Sequence, residues 1–202
     1  LGANTDLRNV SALIDALRAD GTLAADTPLA AWGMSSGGIF AHTVGAAGLT
    51  QVVVAHCAAG TAEANAATTA ATAWYLAAND GTFPTAPADA AEFQVALTRK
   101  GVASELVVHP QTALYDERFT RVAGIDLDTS RAIAEALRDS GAVDAAGMWT
   151  TSGAAAGSGL SVPGVTGDTL TAVRAEIEIM AADHELYDDL AGRMVGFLDQ
   201  HL

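Results

Sequence analysis

The feature that most constrains this chain is an alternation between residues 5 and 109, where short apolar runs are separated by stretches of helical periodicity. Val10, Leu13, Ile14 and Leu17 recur at helical spacing, with Asn4 or Thr5 as N-cap and Gly21 closing the helix. Pro28 to Gly33 (PLAAWG) reads as a short buried strand, and Gly37 to Val44 returns to a helical pattern. Gln51 to His56 (QVVVAH) is strongly β-branched and reads as a second strand, and Ala73 to Ala78 (AWYLAA) as a third. Ala86 to Lys100 is a helix with Phe93 and Leu97 inward, closed by Gly101, and Ala103 to His109 (ASELVVH) is a fourth strand. Short apolar strands joined by helices require crossover connections. The expected fold class is therefore α/β, with a mainly parallel sheet flanked by helices.

After Pro110 the rhythm stops. Helical pieces gather around Phe119, Ile133 and Leu137, punctuated by Gly124, Gly141 and Gly147. Thr150 to Gly167 is rich in Gly, Ala and Ser and reads as a loop. Asp168 is read as the cap of a helix through Leu170, Val173, Ile177 and Met180. An amphipathic helix from about Leu186 to Leu202 buries Leu190, Met194, Phe197 and Leu198. The expected organisation is a core over 1–110, a helical, lid-like insertion over 111–183, and a segment over 184–202 that completes the core. The chain holds 45 alanines, and the alanine-rich stretch 58–73 reads as compositional bias.

Charge narrows the partners. The net charge of −14, with a single lysine at position 100, argues against nucleic acid and against an anionic membrane surface. No run of apolar residues is long enough for a membrane span. Cys57 is the only cysteine, which excludes an internal disulfide and a cysteine-based metal site. A metal-ligand cluster, a phosphate-cradling G-x-x-x-x-G-K-[ST] and an S-x-x-K pair are all missing from the sequence, so neither metal nor cofactor is expected. The chain opens at Leu1 without a basic-then-apolar leader, and no compartment is read from it.

Gly33-Met34-Ser35-Ser36-Gly37-Gly38 fits G-x-S-x-G, a pattern that carries weight only between a strand and a helix. Both flank it here. A sharp strand-to-helix turn would hold Ser35 in strained geometry, with Gly33 and Gly37 giving it room and Gly38 letting the helix pack closely. The Ser36 N–H, at the helix N-terminus, would then face a developing oxyanion. With this turn, the chain resembles the α/β-hydrolase superfamily, in its serine esterase and dienelactone-hydrolase-like branch. The resemblance extends to the V-V-V-A strand and to the closing A-D-H-E-L-Y-D-D-L…F-L-D-Q-H-L, which is similar to the segment carrying that family's histidine into its last helix. It implies a Ser…Asp/Glu…His triad in chain order.

Asn79-Asp80-Gly81 follows the third strand. Parallel strands place their C-terminal ends on one rim, so Asp80 is the candidate acid beside Ser35. Asp89 and Glu92, on the next helix, read as solvated charge. Of the five histidines, His42 reads as packed or solvent-facing, His56 ends the second strand, and His201 suits a helix C-terminus. Two remain for the base. His109 ends the fourth strand, 29 residues after Asp80, whereas His184 has the closer motif setting and is favoured. Choosing His184 makes the insertion before it a cover for the catalytic rim.

The resemblance implies a serine carboxylesterase acting through an acyl-enzyme on small or polymeric esters, aromatic esters and polyesters included. The alternatives are amide or peptide hydrolysis on the same fold, or a non-catalytic fragment. Met34, Phe119 and Trp149 are expected at the substrate cleft, with Trp32, Phe40 and Tyr115 as further aromatic candidates. In the family, strands and a second oxyanion donor precede the nucleophile strand. The 34 residues ahead of Ser35 hold only one helix and the nucleophile strand. An open sheet edge, and self-association or pairing across it, are therefore expected.

Overall fold

The structure is a computed structural model that describes residues 4–110, 114–150, 153–182 and 190–202. The chain divides into two compact units, Leu1–Leu76 with Thr85–His109 and Leu186–Leu202, and Ala77–Pro84 with Pro110–Glu185.

The first unit is built on β1 (Ala30–Met34), β2 (Val52–His56), β3 (Ala71–Ala77) and β4 (Ser104–His109), an all-parallel sheet in chain order. Around it run α1 (Thr5–Ala19), α2 (Ser36–Ala46), α3 (Ala62–Ala67), α4 (Ala86–Arg99) and, near the C-terminus, α8 (Leu190–His201). Register explains the near-continuous apolar strands. Val52, Val54, Ala73 and Tyr75 pack under Leu190 and Phe197 of α8, while Val53 packs on the opposite face with Ala41 of α2. Both faces are covered, so β2 has no position left for a polar residue until His56. β1 has one partner, β2, and Trp32 on it is 53 % exposed.

The second unit holds a 3-10 turn (Arg118–Arg121), α5 (Leu127–Asp139), α6 (Gly153–Ser158) and α7 (Gly167–Ala181). Phe119, Ile133, Leu137, Val173, Ile177 and Met180 form its fully buried core. Arg118 is buried there and pairs with Glu176 at 3.0 Å.

The alanine-rich 58–73 stretch contains α3, capped by Thr61, whose Oγ accepts from the Ala64 N–H at 3.2 Å. Two local readings are corrected. Thr150–Gly167 contains α6 rather than being loop throughout. The N-cap of α7 is Thr166, and Asp168 lies in the first turn. Among the described residues, no helix is long and apolar enough to cross a membrane.

Candidate active site

Ser35 lies between the last residue of β1 and the first of α2, at φ 57° and ψ −126°. That is a backbone conformation L-residues avoid. Its N–H donates to the His56 carbonyl at 2.8 Å, extending the sheet by one rung. Its carbonyl accepts from Gly38 N at 2.9 Å and Ile39 N at 3.3 Å, starting the helix. The side chain is half-buried and does not cap α2. Ser36 is exposed, and its N–H belongs to the first turn that a helix cannot satisfy internally.

The glycines explain why the turn closes. A Cβ at Gly33 would lie 2.1 Å from the Gly37 carbonyl oxygen and 2.7 Å from Gly38 N. A Cβ at Gly38 would lie 3.1 Å from the Gly33 oxygen and 3.3 Å from that of His56. Gly37 faces open space, which corrects the expectation that it makes room for the turn.

Asp80 belongs to the second unit and is buried. Its Oδ1 accepts from the N–H groups of Thr82 at 2.7 Å and Phe83 at 2.9 Å, which folds the Asn-Asp-Gly turn. In the same unit Gly81 N–H donates to the Ala182 carbonyl at 2.6 Å. The Asp80 turn is thus bonded to the chain two residues ahead of His184 in sequence. His184 itself lies outside the described residues.

The other candidates are dispersed. Met34 is half-buried at the end of β1, in register with His56. Phe119 is wholly inside the second unit's core, which leaves it no surface for a ligand and corrects its placement at a cleft. Trp149 is partly buried against that core and bridges to Val143. The Tyr115 hydroxyl accepts from Arg121 at 3.1 Å. His109 ends β4 half-buried, and His201 tilts against Phe197 with ring centroids 4.5 Å apart. Trp32 and Phe40 line an apolar groove of about 340 Å³ along β1, with Val10, Ile14, Leu29 and Val44.

One residue escapes the sequence pattern. Cys57 also has φ 57° and is buried, with its Sγ 3.3 Å from His56 Nε2. A lone cysteine after a β-branched strand carries no turn signal, so nothing in the sequence marks it. Among the described residues, no group of three or more His, Cys, Asp or Glu could hold a metal ion.

Comparison with protein-family models, with curated proteins and with solved structures finds no match to this chain.

Proposed function

We propose that the chain is a serine carboxylesterase of the α/β-hydrolase type, with Ser35 as nucleophile, His184 as base and Asp80 as acid. The observation that carries this reading is the backbone of Ser35, strained at φ 57° and set between a parallel strand and an eleven-residue helix. Strain at a half-buried, still accessible hydroxyl beside a helix N-terminus has a use in acyl transfer. His184 takes the Ser35 proton as Oγ attacks the ester carbonyl. The oxyanion is met by the Ser36 N–H, and the alcohol leaves with the proton from His184. Water then repeats the cycle and frees the acid. Asp80 fixes the imidazole tautomer. The Gly81–Ala182 bond favours His184 over His109, because it ties the acid's turn to the chain just before His184.

The finer parts of the reading are a lid over 111–183 and aromatic or polymeric esters as substrates. Self-association across the β1 edge is also included, since β1 is apolar and lacks the charges or proline that guard an edge strand. Light scattering over a concentration series tests that component, and a monomer throughout would remove it. Turnover of a short p-nitrophenyl ester together with fluorophosphonate labelling tests the chemistry. Failure of both would leave a non-catalytic protein.

A further inference from the structure

Behind the nucleophile turn, α2, α3 and β3 enclose a polar cluster that the proposed chemistry does not use. His42 of α2 is fully buried and stacks on Trp74 of β3, with centroids 5.6 Å apart and planes 22° apart. The segment after β2 closes over it. Gly60 has φ 84°, and a Cβ there would lie 2.6 Å from His42 Cγ and Cδ2 and 3.0 Å from Asn65 Nδ2. Trp74 Nε1 and Asn65 Nδ2 both donate to the Ala59 carbonyl, at 3.0 and 3.2 Å, and Asn65 Nδ2 donates to Thr61 O at 2.9 Å. Among the described residues neither ring nitrogen of His42 has a hydrogen-bond partner, and Asn65 Oδ1 has none either.

A buried imidazole without partners is tolerated only while neutral. The surrounding elements offer an imidazolium little. No other titratable side chain lies on α2, and on α3 there is only Glu63, which is exposed. At the end of β2, His56 and Cys57 contact each other. Tyr75 of β3 packs in the cluster under α8, on the other face of the sheet. Lys100, just past α4, donates to the carbonyls of Asn65 and Ala66. None of these pairs with His42.

We infer that His42 is an acid-sensitive pin: on taking up a proton its ring leaves its place under Gly60 and releases the 58–61 segment from the back of the nucleophile turn. That segment meets the turn at Ala58, whose Cβ would lie 3.4 Å from a Cβ on Gly38, and it follows closely on His56, whose carbonyl accepts from the Ser35 N–H. Burial pushes the His42 imidazole from its usual 6.5 down to about 4. The released form therefore binds protons from about pH 6.5 downward and the closed form only near pH 4. Across that window the balance moves toward release by roughly 300-fold, and below it no further. Loss of ester turnover over the same window rests on the reading of Ser35 as nucleophile, but release of the segment does not.

The test reads release without reading turnover. Amide hydrogen exchange of peptides spanning 57–61, corrected for intrinsic rate, is followed in the wild type from pH 7 to 4. Trp74 emission is followed in a Trp32→Phe/Trp149→Phe background. The expected result is opening of 57–61 together with an emission change, while β1, β2 and α8 stay protected. In His42→Phe, which keeps a stacked ring but binds no proton, both changes disappear. Exchange that rises in all elements at once would overturn the pin, as would a pH step surviving in His42→Phe. If His42→Phe does not fold, the wild-type exchange map decides alone. A flat map removes the pin and leaves the esterase reading intact, whereas a positive map in an inactive protein does the reverse.

Discussion

Ser35 and Cys57 occupy the same place in successive strand–helix units, and the backbone treats them alike. Each follows the last residue of a parallel strand, each has φ 57°, and each donates its N–H to a carbonyl of the next strand, Ser35 to His56 and Cys57 to Tyr75. They diverge at the very next residue. Ser36 opens an eleven-residue helix at once, whereas four residues separate Cys57 from the six-residue α3. Ser35 keeps some of its surface, and Cys57 has none. On the proposed reading, a strained strand end is not in itself a site: partial exposure and an immediate helix N-terminus make the difference.

The strongest way to break this comparison is to remove each side chain in turn. Ser35→Ala is expected to lose about 10⁶-fold in ester turnover, the loss seen when a serine-triad nucleophile is removed, and to stop fluorophosphonate labelling. Cys57→Ala is expected to keep turnover within about twofold, since its thiol is not at the chemistry. Full labelling of Ser35→Ala, or silence of Cys57→Ala in a well-folded state, would reverse the roles. The base is separated in the same assay. His184→Ala should fall by a similar order to Ser35→Ala and His109→Ala should fall little. The opposite pattern moves the base to His109 and removes the reason for a lid.

The glycines sharpen the comparison next. Gly33→Val places a Cβ 2.1 Å from a backbone oxygen that cannot move without unwinding α2, so the first unit should not fold. Gly37→Ala meets open space and should leave the thermal midpoint within about 2 °C. Circular dichroism melts of the two variants check this, and a stable Gly33→Val would mean that the turn is not closed as described.

What is legible in the sequence follows the same logic. β-Branched runs such as QVVVAH have one reading, and β2 appears where the pattern puts it, Val52–His56. The turn at Ser35 is legible because Gly33 and Gly38 are needed for contact and stand at fixed offsets from the serine. α3 and α6 are hidden because Ala and Gly supply helix without apolar contrast, so periodicity has nothing to register. An aromatic suits a cleft and a core equally by type, so residue type alone misplaces Phe119 and only packing separates the two. His42 is ambiguous between packing and solvent for a related reason. Its burial comes from Gly60, Asn65 and Trp74, residues 18 to 32 positions further along the chain.

His42 also gives the pH dependence of stability its sign. Its folded value, about 4, lies below the ordinary 6.5, so the unfolded chain binds the extra proton between them. Stability should hold above pH 6.5 and fall by at most about 3 kcal/mol as pH drops to 4. Urea unfolding at pH 7, 5.5 and 4 should show that loss, and His42→Phe should remove most of it. An unchanged slope in the variant would assign the acid sensitivity to carboxylates instead.

The smallest effect separates strain from chemistry. At positive φ a glycine relieves about 1–3 kcal/mol of backbone strain while adding about 0.4–1 kcal/mol of unfolded-chain entropy. Ser35→Gly loses only a half-buried hydroxyl, so the net is a gain of about 1 kcal/mol, a rise of about 2–4 °C in thermal midpoint. Turnover should vanish with the same substitution. Cys57→Gly gains as much in the backbone but empties a fully buried thiol site, a loss of about 1–2 kcal/mol, and should melt within about 2 °C of the wild type with turnover kept. Stabilisation of Ser35→Gly alone would show that the chain carries strain at Ser35 for its hydroxyl and at Cys57 for its packing. If Ser35→Gly instead melts lower, the turn holds no such strain, and the observation on which the esterase reading stands is withdrawn.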